Sequence, residues 1–347
     1  MEVINGILYH AVGACSAALC YTPQKKVKGW SWQTYWMAQA FVCWLLLPVL
    51  VAMLTIPQLA QVLEEAPASA MQRSFLLGMA YGVGGTAFGI AIRYVGFSLT
   101  YAISVGISCV LGTLLPPLVA GNLGEIFQRP GAAFLSLGIG LGVTGIALCG
   151  MAGRKKEKDL EAISGAATKF SLAKGLPLCL LAGVLSALYG FSIDQGQPIA
   201  DVAAAHGAGN FQGNVIYLFS NTGAFLTTFL YCLYLHAREK TFHQYSTMPE
   251  GNKLLPGNYA MAALTGLLWY GQFFFYGLGH VRMGDFKFSS WTIHMIMLVL
   301  FSSLAGLWMK EWKECRKPTL LVLALALMVL VLAVLALTYA NYIASAE

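Results

Sequence analysis

Charged residues in this sequence come in short clusters, and the stretches between them are apolar for about 20 residues at a time. That spacing constrains the fold more than any motif does. Hydrocarbon offers the backbone no hydrogen-bond partner, so each such run must be a helix whose peptide groups pair internally. Ten runs can be read, near residues 4–23, 32–55, 74–95, 98–120, 131–151, 172–194, 213–236, 258–280, 289–310 and 318–340. With 58% hydrophobic and 10% charged residues, almost nothing remains for a soluble domain. The first run follows Met1 and Glu2 with no basic leader and no small-residue cleavage pattern, so it reads as a retained helix. The expected class is an all-α integral membrane protein with ten transmembrane helices.

Lys and Arg fall on alternate loops. Seventeen of the 21 lie on one side of the expected topology; the other side receives Arg73, Arg129, Arg282 and Lys287. The positive-inside rule makes the richer side cytoplasmic and places both termini outside. The formal charge of +6 is thus a topology signal and carries no nucleic-acid patch. The eight cysteines form no CxxC pair and no metal-site spacing, and read as small packing residues without disulfides.

Ten helices invite a search for halves. Gly78–Gly96 lies on Gly266–Gly284 without a gap, pairing Tyr81 with Trp269 and Phe88 with Tyr276. Gly13, Ser16, Ala17, Tyr21 and Thr22 fall on Gly183, Ser186, Ala187, Phe191 and Ser192. Span 1 therefore matches span 6, and span 3 matches span 8. Five spans is an odd number, so the second half enters from the opposite side and the repeat is inverted. Such repeats place a transported substrate near the midplane. The expected organisation is a first five-helix repeat over 1–153, a cytoplasmic linker over 154–171 and a second five-helix repeat over 172–347. Trp30, Trp32 and Trp36 are expected at the inner interface, and the Ala/Gly-rich stretch after Pro198 as an external loop. Span 10 is nearly pure Leu, Ala and Val, and reads as scaffold or a homo-oligomer contact.

The stretch Gly266–Gly284 carries the chemistry. Helical spacing puts Trp269, Gln272, Phe273, Tyr276 and His280 on one face. Aromatic rings, an amide and an imidazole on one stripe suit a ligand with polar edges and an apolar face, such as a sugar. The same stripe would also serve as a packed aromatic seam between helices. Asn221, well inside span 7, needs a polar partner or water.

Ionisable groups at membrane depth are costly and informative. The candidates are His10, Asp194, His280 and His294. His10 lies roughly 9 Å below the outer end of span 1 at the helical rise. His280 and Asp194 end spans that run outward, and His294 lies one turn into span 9. All four belong to the outer half, with Trp269, Gln272 and Phe273 near the middle. Imidazole titrates near neutral pH, so a protonated histidine there could favour substrate binding and release its proton once the vestibule closes. The chain has no Walker motif, no His/Cys metal cluster and no GxSxG, which argues against nucleotide-driven transport and enzymatic chemistry. No cofactor is implied beyond a coupling proton.

Four strings carry a resemblance. They are HAVGACSAALCYTPQKKVKGWSW from His10, IRYVGFSLTYAISVGISCVLGT from Ile92, WYGQFFFYGLGH from Trp269 and SWTIH from Ser290. With Lys310-Glu311-Trp312, they resemble the bacterial L-rhamnose–proton symporters of the drug/metabolite transporter superfamily, nearly end to end. The resemblance implies two inverted five-helix repeats, an inner-membrane location and proton-coupled uptake of a 6-deoxyhexose. It also implies that His10, Trp269, Gln272, Tyr276, His280 and His294 occupy family positions. The Asp194 position need not be acidic in that family, and the stretch near Asp201–Asn210 diverges from it. The expected substrate contacts are Trp269, Gln272, Phe273, Tyr276, Asn221 and His294; the expected proton carriers are His10, His280, His294 and Asp194. Partners are then L-rhamnose or a similar deoxy sugar, protons and membrane lipid, with no nucleic acid. A carrier of the same fold for another sugar or metabolite, or an exporter, is the competing reading.

Overall fold

The computed structural model describes residues 2–20, 22–95, 97–164, 171–247, 252–284 and 289–344. Lys169 and Lys287 of the charge pattern, Tyr21 and Gly96 of the repeat match, and residues 165–170 of the expected linker lie outside the described residues. Every regular element among the described residues is helical. The longer helices are α1 (Glu2–Leu19), α2 (Trp32–Ala40), α3 (Leu47–Thr55), α4 (Leu59–Glu65), α5 (Ala68–Val95) and α6 (Phe97–Val119). After the short α7 (Leu123–Ile126) come α8 (Ala132–Ser164), α9 (Leu172–Gln195), α10 (Gln197–Ala205), α11 (Tyr217–Glu239), α12 (Leu255–His280), α13 (Ser290–Trp308) and α14 (Lys317–Ala344). A π-helical segment, Phe41–Leu46, joins α2 to α3.

Nine helical stretches among the described residues are long and apolar enough to cross a membrane, so this is a multi-pass membrane protein. They match nine of the ten runs read from sequence. The tenth, α12, is long enough at 26 residues. Asn258, Trp269, Tyr270, Gln272, Tyr276 and His280 dilute its hydropathy, because polar side chains replace aliphatic ones along much of its length.

Packing divides the chain into two units. The first unit comprises Met1–Ala18, Gly84–Phe191 and Leu278–Glu347. Within it α8 lies along α14, where Gly138 and Gly145 face Leu337 and Leu330. At the charged end of α8, Lys156 pairs with Glu311 at 3.0 Å and sits 4.7 Å over the Trp312 ring. Asp159 accepts the Arg316 backbone N–H at 3.0 Å and the Thr319 hydroxyl at 2.7 Å, at the start of α14. A carboxylate there meets unpaired backbone donors and the positive end of the helix dipole. These partners, with the Arg154–Glu157 pair at i,i+3, keep the charged stretch helical as far as Ser164.

The second unit comprises Leu19–Val83 and Ser192–Gly277. Here α5 and α11 meet backbone to backbone: a Cβ at Gly78 would overlap the Ser220 carbonyl, and one at Gly223 the Phe75 carbonyl. On the other side α12 meets α2, where a Cβ at Gly266 would stand 2.6 Å from the Val42 Cβ and 3.0 Å from the Gln39 carbonyl. Small residues at helix contacts allow such approach in lipid, where packing replaces the hydrophobic effect as the driving force. The Tyr35 hydroxyl bonds Thr265, whose own hydroxyl donates to the Cys20 carbonyl at 2.9 Å.

Two local expectations change. The stretch after Pro198 folds as helix α10, followed by a 3-10 turn over Gly209–Val215. Pro198 opens the helix, the alanines favour it, and Ile199, Ala200 and Ala203 are buried along one face. Trp36, expected at the inner interface, is buried within protein, where it joins the indoles described below.

Adding a methyl at Gly78 or Gly223 must separate α5 from α11. Gly78→Ala and Gly223→Ala are each expected to cost about 1–3 kcal/mol by overpacking. Thermal unfolding in detergent should show a clear drop for both, and none for Gly140→Ala, where nothing lies within 4 Å of the added carbon.

Candidate functional site

The expected site residues resolve into two groups, one in each unit. His10, His280 and His294 belong to the first unit. Trp269, Gln272, Phe273, Tyr276, Asn221 and Asp194 belong to the second. Helix α12 contributes to both groups, carrying the aromatic stripe along its length and His280 at its end.

The histidine group is built by close helix approach and a buried tryptophan. Gly6 on α1 and Gly279 on α12 bring the two backbones together, so that a Cβ at 279 would stand 2.9 Å from both the Gly6 carbonyl and His10 Nε2. On α13, Trp291 is wedged between Gly112 and Gly190 and donates its indole N–H to the Ser108 carbonyl at 3.1 Å. Thr292 bonds Thr113 beside it. These contacts fix the rotation of α13, and His294 follows three residues later. The His10 and His294 rings then meet edge to face, with centroids 5.9 Å apart and planes at 66°. Both are fully buried, and His280 lies within electrostatic reach of His10. Imidazoles this close interact through their charge, so the proton occupancy of one bears on the others.

In the second unit the stripe faces protein. Trp269 is 8% exposed and Gln272 7%. Trp36 and Trp44 approach Trp269 edge-on, at 5.6 and 5.4 Å between centroids. Edge-to-face contact of this kind is the favoured geometry for aromatic pairs. The Trp269 indole hydrogen-bonds the Tyr81 hydroxyl, and Tyr81 also lies 6.0 Å from Trp44. Further along α12, the Tyr217 hydroxyl donates to the Phe273 carbonyl at 2.7 Å. Tyr276 is buried within electrostatic reach of both Tyr217 and Asp194. Asp194 itself is exposed at the end of α9. Asn221 is fully buried on α11, one turn from Tyr217.

Chemically, the second unit offers an aromatic enclosure with an amide, and the first unit a cluster of imidazole rings. The L-rhamnose-proton symport protein (RhaT) family model matches residues 1–341. The chain belongs to this symporter family. It is 35% identical over 333 residues to the L-rhamnose-proton symporter of Cronobacter sakazakii, covering 95% of this chain and 96% of that protein. The symporters of Yersinia pestis and Yersinia pseudotuberculosis, of the same name, are 34% identical over the same share of each chain.

Three members of the symporter's aromatic enclosure were not singled out from the sequence as site residues: Trp36, Trp44 and Tyr81. A signal was present. Trp32 and Trp36 stand four apart, which puts their indoles on one helical face, and Trp44 follows eight residues on. Tyr81 was visible through its pairing with Trp269 in the repeat. The contact between them needed the packing of four separate segments.

The Tyr217 bond holds α11 to α12 beside Phe273 and Tyr276. Tyr217→Phe keeps the ring and removes the donor. It is expected to lower stability by about 1 kcal/mol, the worth of one buried hydrogen bond, read as a lower unfolding midpoint in detergent.

Proposed function

We propose that this protein imports L-rhamnose together with protons across the cytoplasmic membrane by alternating access. Membership of the family over essentially the whole chain is the observation that carries the reading. The enclosed stripe on α12 supports it. A 6-deoxyhexose presents hydroxyls at its edge, C–H groups on its face and one methyl. Gln272 and Asn221 hydrogen-bond hydroxyls, Trp269 and Phe273 pack on the apolar face, and Tyr276 closes one end.

The proton is carried by the group of His10, His280 and His294, with Asp194 as an outer acceptor. An imidazole binds and releases a proton at its ring nitrogens, so an outward-to-inward proton gradient can load and empty these groups. No cofactor is required beyond the coupling ion.

The scaffold for alternation is a pair of inverted five-helix repeats over 1–153 and 172–347, joined by 154–171. Paired contacts support it. Gly78 of α5 packs on α11, and its repeat partner Gly266 of α12 packs on α2. Likewise α1 meets α12 at Gly6 and Gly279, while α5 meets α9 at Gly84 and Leu185. Exchanging the halves converts one contact into the other. The asymmetry of Lys and Arg supports both termini on the periplasmic side.

Proteoliposomes given an inside-alkaline pH step should accumulate labelled L-rhamnose, and a protonophore should abolish accumulation. Uptake indifferent to the protonophore would refute coupling. His280→Ala and His294→Ala are expected to lose accumulation above equilibrium while retaining facilitated exchange. Gln272→Ala is expected to raise KM about tenfold, the worth of one lost substrate hydrogen bond. Wild-type behaviour in all three variants would remove this site assignment.

A further inference from the structure

Buried polar atoms in native proteins are almost always hydrogen-bonded, and each exception calls for an explanation. In the second unit three exceptions fall on the two helical segments that frame Trp269. Neither amide atom of Gln39 makes a hydrogen bond, nor does the Trp44 indole N–H, nor the Tyr270 hydroxyl. The three residues are 0%, 1% and 3% exposed, so bulk water does not serve these groups.

They share one place in the fold. Trp36 and Trp44 both touch Trp269, and Gln39 lies between them on the same face of the helix. The Gln39 backbone approaches α12 at Gly266, one turn before Tyr270. The Tyr270 phenol in turn lies within electrostatic reach of Cys43, the neighbour of Trp44. The backbone there is unusual as well. Phe41–Leu46 is π-helical, with the Leu47 N–H bonded to the Val42 carbonyl, and Pro48 follows without a donor. Turns of this kind occur frequently at functional sites, because the extra residue re-aims the side chains beyond it. Here it sets the position of Trp44 relative to Gln39.

We infer that Gln39, Trp44 and Tyr270 form a hydroxyl-reading subsite for the sugar, on the α2 side of Trp269. This rests on the transport reading above and deepens it. The donor and acceptor types fit a polyol. Trp44 can only donate, Gln39 offers one acceptor and two donors, and Tyr270 can do either. A sugar hydroxyl also does either, so the hydroxyls of a polyol match all three side chains in donor and acceptor type. Trp36 and Trp269 supply aromatic edges and faces for the ring's C–H groups. Sites built to hydrogen-bond a substrate hydroxyl discriminate strongly against analogues lacking it, which makes this subsite a specificity determinant.

The test uses the full chain in proteoliposomes, with Trp44→Phe, Tyr270→Phe and Gln39→Leu. Uptake of labelled L-rhamnose under a pH step gives KM, and unfolding in detergent without sugar gives the midpoint. Each variant is expected to raise KM about tenfold. The sugar-free midpoint should stay unchanged or rise, since the removed group has no partner within the protein. Monodeoxy L-rhamnoses sharpen the assignment: one of them should bind wild type and Tyr270→Phe equally well, because the lost hydroxyl and the lost phenol were partners. KM within twofold of wild type for all three variants overturns the subsite. A midpoint lowered by several degrees with KM retained also overturns it, and assigns the three groups to buried structural water. Wild-type vesicles run in parallel separate the two readings. If they ignore L-rhamnose, the transport reading fails and the subsite falls with it; if they transport it while the variants match them, only the subsite fails.

Discussion

Hydrocarbon gives a polar atom nothing to bond with, and most of this structure follows from that constraint. Backbone groups pair within helices, and polar side chains turn toward protein. The aliphatic faces of α14 can meet lipid at no cost, so leucines there stay exposed. The polar length of α12 cannot, so it is enclosed, with Trp269, Gln272, Phe273 and Tyr276 all buried. The helix too polar to pass as an ordinary membrane span is thus one whose polar stripe is held by protein.

Glycine is what makes the enclosure tight enough to exclude lipid. At Gly78, Gly223 and Gly266 the helices approach until backbone atoms touch. Gly112 and Gly190 do something different, opening a slot for the Trp291 ring so that its N–H reaches the Ser108 carbonyl. In both cases a missing side chain sets a helix rotation, and the rotation decides which way a functional group points. His294 is positioned this way by Trp291 and Thr292, and Tyr217 reaches the Phe273 carbonyl past the bare flank of Gly277.

Coupling a sugar to a proton needs two chemistries that communicate. The sugar calls for flat apolar surface with a few hydrogen-bonding groups, and the proton for groups that titrate near neutral pH. The residues expected for these two chemistries fall in different units.

Much of this was legible in the residues alone. The alternation of apolar runs with charged clusters dictates a multi-pass helical protein, because lipid admits no other use for such runs. The i, i+3, i+4, i+7 spacing from Trp269 dictates a shared face for the stripe, since helix geometry is local. What the residues alone did not decide is which faces meet. The sequence placed Trp36 at an interface and left Trp44 and Gln39 unremarked, since nothing local says that their helix turns its indoles toward α12. The π-helical turn that sets Trp44, the glycine contacts that set helix rotation, and the approach of His10 to His294 all arise from segments far apart in the chain. Local periodicity determines what a helix can present; only the packing of distant helices against one another determines what each face is presented to.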